Sequence, residues 1–183
     1  TIQSRGLGDV YKRQVLSEGF DNSQDNTNLD YSGWVNFAEQ GTELWTEQVF
    51  RGNGYTEFSA YRTFEDVNIG WLVTPGFDLT GSTNSFINFK LAQHHLDDDQ
   101  NNTLEVFISN DFDGSNVLSA TWNKLSVQIP NMSNSWYAFQ DSGLIDVSSY
   151  EGTIHIGFKY VGSGTNTSLD GGYFVDDILF LKK

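Results

Sequence analysis

From Val15 onward, short apolar runs alternate with polar punctuation, and the repeat has a period of two rather than 3.6. In SFINFKLAQHH (85–95), Ile87, Phe89 and Leu91 form one set, while Asn88, Lys90 and His94 form the other. In TIHIGFKYV (153–161), Ile154, Ile156, Phe158 and Tyr160 alternate with His155, Gly157, Lys159 and Val161. Successive side chains of a strand point to opposite faces, so the apolar set of each run faces a core and the other set faces out. Trp71, Leu72 and Val73 lead into Thr74-Pro75, which reads as an inner strand stopped by a proline that cannot donate to a ladder. Breaks fall at Arg51–Gly54, GSTN, LDDDQNN and NDFDGSN, where Gly, Asn and Asp supply turn chemistry. DNSQDNTNLDYSG reads as a long polar loop, and helical periodicity never lasts three turns. The pattern predicts roughly nine to eleven strands in one all-β domain, a two-sheet antiparallel jelly-roll β-sandwich over 15–183. Its expected core contains Phe20, Trp71, Leu72, Phe89, Val106, Ile108, Ile156, Phe158 and Val175.

Residues 1–14, TIQSRGLGDVYKRQ, break this pattern. They hold three of the ten basic residues (Arg5, Lys12, Arg13), and DVYKRQ resembles translated sequencing adapter. They are expected to be a non-native leader that packs poorly against the domain, so a missing signal peptide carries no information about location. The remaining composition narrows the chemistry. With 183 residues the chain can bury a core without covalent staples. It has no cysteine, which removes disulfides, thiolate metal sites and cysteine nucleophiles. A formal charge of −14 repels nucleic acid and anionic membrane surfaces, and no apolar run is long enough to span a bilayer.

Eight runs in order carry a resemblance: GWVNFAEQGTELW (33–45), YTEFSAY (55–61), IGWLVTPGFDLTG (69–81), INFKLA (87–92), EVFISNDFDG (105–114), TWNKLSV (121–127), SGLIDVSSYEGTIHIGFKYVGSG (142–164) and YFVDDI (173–178). Together they resemble the choice-of-anchor J, or cleaved-adhesin (MAM-like), domains of bacterial surface proteins, notably of Bacteroidetes. The resemblance implies a jelly-roll sandwich, an extracellular or cell-surface location, and an accessory role beside neighbouring domains of a longer polypeptide. It supplies no catalytic residues.

The residues point to a non-catalytic glycan-binding or adhesive module, with a protein-interaction module or a structural spacer as the alternatives and part of a secreted hydrolase as a weaker one. GxSxG, HExxH, Walker and Rossmann fingerprints are all absent. His94 and His95 precede Asp97-Asp98-Asp99, but neighbours on a strand point apart, so a solvated hairpin tip explains them more simply than a metal site. The DxDG fragment at Asp111–Gly114 lacks the further oxygen ligands of a calcium loop and reads as a turn capped by Asp side chains.

Two sites are expected. Related sandwiches hold a structural Ca²⁺ between the first strand, the following loop and the last strand. The matching oxygens here belong to Glu18, Asp21, Asp25 and Asp176, with Asp177 pointing to the opposite face from Asp176. The alternative is that these acids cap strand ends or bond backbone. The second is a ligand face for a polysaccharide or cell-surface glycan. Bases are scarce beyond the leader, yet Asn88, Lys90, His94, His155 and Lys159 turn outward on strands, and Arg62 is another of the few. If the two strands share a sheet, they form a locally positive platform for sugar hydroxyls, carboxylates or sulfates, with Tyr61, Trp122 or Trp136 as an aromatic plane. The alternative is that the bases only neutralise neighbouring acids.

Overall fold

The two clean alternations become inner strands of two different sheets. The computed structural model describes residues 13–183, with side chains from Leu16 onward. Among the described residues, fourteen strands run β1 (Arg13–Glu18), β2 (Thr27–Asn28), β3 (Val35–Gln40), β4 (Thr46–Phe50), β5 (Asn53–Ser59), β6 (Asn68–Val73), β7 (Phe77–Asp78), β8 (Ser85–His94), β9 (Thr103–Ser109), β10 (Asn123–Lys124), β11 (Gln140–Asp141), β12 (Ile145–Asp146), β13 (Thr153–Gly162) and β14 (Gly172–Lys182). The first sheet is ordered β11-β8-β14-β5-β4-β2, with β1 also on β14 and β12 also on β8. The second is ordered β10-β9-β13-β6-β3, with β7 also on β13. All pairings are antiparallel, as a two-sheet sandwich requires. Most of the leader, 1–12, lies outside the described residues. Arg13 and Gln14 do not stay apart from the domain, since they open β1 opposite Lys182 and Leu181.

Ile87, Phe89 and Leu91 of β8 face Ile154, Ile156, Phe158 and Tyr160 of β13 across a single apolar core. Phe89 meets Phe158 edge-on at 5.2 Å, and Phe58 stacks on Tyr160 at 4.4 Å, so aromatic pairs join the two layers. All nine expected core residues are buried. Trp71, however, is not between the sheets. With Val73, Phe112 and Val117 it forms a second cluster on the outer side of β6, closed by the 110–122 segment folding over it. TWNKLSVQI and LIDVSSY yield only two-residue strands, β10 and β12, because each touches a sheet edge briefly before leaving it.

One irregularity matters for the chemistry. On one edge of β14, β5 pairs with Gly172–Val175 and β1 takes over from Ile178 onward. At the changeover the register shifts, and Asp177 adopts φ +48°. Val175 and Ile178 both face the core, so the extra residue places Asp176 and Asp177 together between them. Strict alternation would have sent these two carboxylates to opposite faces. The bulge corrects that expectation: Lys90 lies opposite Asp176 in register and bonds Asp177 at 3.0 Å.

Candidate functional site

A cleft of about 660 Å³ opens on the outer face of the first sheet. Its floor comes from outward positions: Thr46 and Gln48 of β4, Glu57 and Ser59 of β5, and His94 of β8. Loop residues Asn26, Glu43, Leu44, Tyr61, His95, Asp97, Thr167 and Asp170 complete the lining. His94 crosses β14 to place Nε2 2.5 Å from Glu57 Oε2. It can do so because Gly172 stands between His94 and Ser59 in register, and a Cβ there would collide with the imidazole. His94 Nδ1 lies 2.8 Å from His95 Nδ1, so one ring donates and the other accepts.

Aromatic side chains pack behind the two histidines of the cleft. The His94 ring stacks on Tyr137 at 5.3 Å and touches Phe174, which packs on Tyr55 at 4.4 Å. The His95 ring lies 4.0 Å from Trp136. Tyr61, Trp136 and Tyr137 remain 59 %, 51 % and 54 % exposed, a cost in water that buried packing would have removed. The Arg62 guanidinium sits 5.1 Å from the Tyr61 ring centre. Arg62, His95 and Tyr137 all have positive φ, at 61°, 52° and 65°. Three side-chain-bearing residues held in this region cost roughly 1 kcal/mol or more each, and such strain concentrates at binding sites. Burial, then the charge of Asp97, raises the Asp170 carboxyl above its ordinary range. Burial, then the Glu57 charge, pushes the Tyr55 hydroxyl up to about 12.

A second cavity, also about 660 Å³, opens on the same sheet near the bulge and is rimmed by Glu18, Asp21, Asn88, Lys90, Asp141 and Asp177. Asn88 donates to Asp141 at 2.7 Å and to the Gly143 carbonyl at 2.9 Å. Asp176 is buried, accepting from Asn53 Nδ2 at 3.0 Å and from the Asp177 N–H at 2.7 Å. Burial pushes its carboxyl up to about 6. Glu18 accepts from the Phe20 N–H at 2.6 Å, and Asp25 from the Val49 N–H at 3.0 Å. Three of the four acids expected to share calcium, Glu18, Asp25 and Asp176, therefore have separate backbone or side-chain partners. No three His, Cys, Asp or Glu residues among those described form a metal-holding group.

The platform expected of Lys90 and Lys159 does not form, because β8 and β13 belong to opposite sheets. Lys159 lies over Trp71 at 5.3 Å and 3.8 Å from Glu39. His155 does face outward from the core, yet it is buried beneath Phe112, with Nδ1 2.9 Å from the Thr74 carbonyl. Trp122 packs on Trp71 at 5.2 Å, donates to the Val117 carbonyl and is less exposed than Trp136. Thus His94 and Tyr61 line the cleft, with Arg62 packed on Tyr61 and Trp136 on His95; Asn88 and Lys90 lie at the second cavity, and His155, Lys159 and Trp122 on the far side. The sequence reading missed Tyr55, Glu57, Phe174, Asp97 and Asp170. Tyr55 and Glu57 were available, since they alternate with buried Thr56 and Phe58.

No family model and no curated protein sequence matches the chain. Solved structures do. The K3 cleaved adhesin domain of Lys-gingipain from Porphyromonas gingivalis W83 superposes with a TM-score of 0.57 at 16 % identity, covering 92 % of this chain and 99 % of that one. The K1 domain of the same protein gives 0.56 at 14 % identity, covering 91 % and 96 %. The K2 domain gives 0.56 at 16 % identity, covering 90 % and 96 %. The chain has the β-sandwich fold of the cleaved adhesin domains.

Proposed function

We propose that this chain is a non-catalytic extracellular accessory module that binds glycan through the cleft on its first sheet. The carrying observation is half-exposed Tyr61 in the cleft, with half-exposed Trp136 and Tyr137 packed on its two histidines, beside a row of hydrogen-bonding side chains on one sheet face. A sugar presents exactly these needs in general form: an apolar ring face to lie on an aromatic and hydroxyls to bond with Thr46, Gln48, Ser59 and Asn26. The sheet holds these groups in place, so binding needs little reorganisation. A glycan array followed by calorimetry on the hits tests the reading. Trp136→Ala and Tyr61→Ala should each weaken binding while leaving the fold intact, and an array blank for every glycan class would remove it.

An adhesive role towards protein is the second reading, and one observation favours it. Phe64 is 80 % exposed on a backbone at φ +58°, beside Tyr61 and Arg62. Pull-down with a Phe64→Ser variant separates the two, since sugar binding in the cleft should survive that change. We also retain calcium as a proposal, in a reduced form. The four acids do not fit as one shell, but Asp176 is a buried hard-oxygen ligand beside Asp177 and the β1–β2 loop, where an ion would relieve two close carboxylates.

A further inference from the structure

We propose that the cleft discriminates by charge: it excludes glycans bearing carboxylates or sulfates and favours sugars bearing a free amine. The inference rests on the glycan reading and adds a ligand class to it. Among the described residues, those lining the cleft include Glu43, Glu57, Asp97 and Asp170 and no Lys or Arg. Lysines that could offset these acids are engaged elsewhere: Lys90 with Asp177, Lys124 with Glu105 and Lys159 with Glu39. Arg62 stands at the rim, its guanidinium held over Tyr61.

The four acids are not equivalent. Glu57 is taken by His94, and Glu43 accepts from the Leu44 N–H. Asp97 and Asp170 have no ion-pair partner among the described residues, and burial, then the charge of Asp97, raises the Asp170 carboxyl. The two histidines offset this only in part: both favour the charged form of Asp170, but His94 is committed to Glu57, and their Nδ1 atoms face one another at 2.8 Å, which leaves room for one proton between the rings. An incoming uronate or sulfate meets like charge in a partly desolvated cleft, whereas an ammonium meets two acceptors and forms charge-assisted hydrogen bonds. The sugar ring that carries the amine would lie against Tyr61 or Trp136. The formal charge of −14 steers cationic ligands inward from longer range.

The test uses three oligosaccharide probes on the chain as it stands: chitosan oligomers with free amines, the same oligomers fully N-acetylated, and alginate oligomers. Calorimetry at moderate salt should rank them in that order, with the amine form about tenfold tighter than the acetylated form and alginate without measurable heat. In Asp97→Asn/Asp170→Asn the ratio of amine-form to acetylated-form affinity should fall to within about twofold, whatever the acetylated oligomer's own affinity becomes. A melting temperature close to the parent's certifies the fold of the variant. Alginate binding as tightly as the acetylated oligomer would overturn the charge rule and leave the glycan reading standing. An amine preference surviving the double substitution would also overturn it, since the general negative field would then be the cause. Silence from all three probes and from a full array would overturn both.

Discussion

His94 on β8 and Glu57 on β5 meet at 2.5 Å across an intervening strand, because Gly172 of β14 leaves the space above it empty. The contact ties three strands of the first sheet at the floor of the cleft and fixes the ring against which Tyr137 stacks. Gly172→Ala should push the imidazole aside. Since the obstructed atom belongs to a side chain that can turn, the stability cost should be modest, about 1 kcal/mol, while the cleft changes shape. Long-range ¹⁵N spectra of the His94 ring should lose the Glu57-dependent shift in this variant and in Glu57→Gln alike. Unchanged ring resonances in Gly172→Ala would show that the glycine is not what admits the contact.

Asp176 gives the stability a recognisable pH dependence. Burial lifts its carboxyl from 3.8 to about 6, so the folded state holds the proton more tightly than the unfolded chain. The stabilisation belongs to the protonated form: it is fully present below pH 3.8 and is lost as pH rises through about 6. Asp176→Asn should therefore exceed the parent's stability at pH 7.5 in EDTA by roughly 1–3 kcal/mol, and the gap should shrink as pH falls through about 6 and close only below pH 3.8. Taking the difference between the two proteins cancels the carboxylates at Asp98, Asp111, Asp113 and Asp141, whose hydrogen bonds depress them and whose contribution runs the other way. A gap that does not vary with pH would locate the burial cost elsewhere.

The calcium proposal makes its own statement about melting. An ion bound only by the native state raises stability with its concentration. Millimolar Ca²⁺ should raise the melting temperature of the parent relative to EDTA, and Asp176→Asn should not respond. Equal melting temperatures of the parent in both buffers would dismiss the ion.

Packing and binding should separate cleanly between two aromatic substitutions. Phe158 is fully buried against Phe89, so Phe158→Ala should cost about 3–5 kcal/mol in denaturant unfolding. Trp136 is half exposed, so Trp136→Ala should stay within about 1 kcal/mol of the parent while losing most glycan affinity. Comparable destabilisation by both would place Trp136 in the core's support rather than at a ligand surface.

The sequence by itself determined which side chains of each long strand face the core. Period two in 85–94 and 153–162 gives the set of β8 and β13 side chains that faces the core, because alternation is a property of the extended backbone alone. The Asp113 turn was equally local: its Oδ1 accepts from the Ser115 and Asn116 N–H groups. Three things were decided only by tertiary structure. Sheet membership depends on pairing between residues far apart in sequence, so nothing in either alternating run revealed that Lys90 and Lys159 lie on opposite sheets. Exposure of an outward position depends on what folds over it, which is why His155 and Trp71 are covered while Tyr61 is not. The bulge at Asp176-Asp177 arises where β14 changes partner from β5 to β1, and a one-residue shift there places two carboxylates together that local parity would have separated.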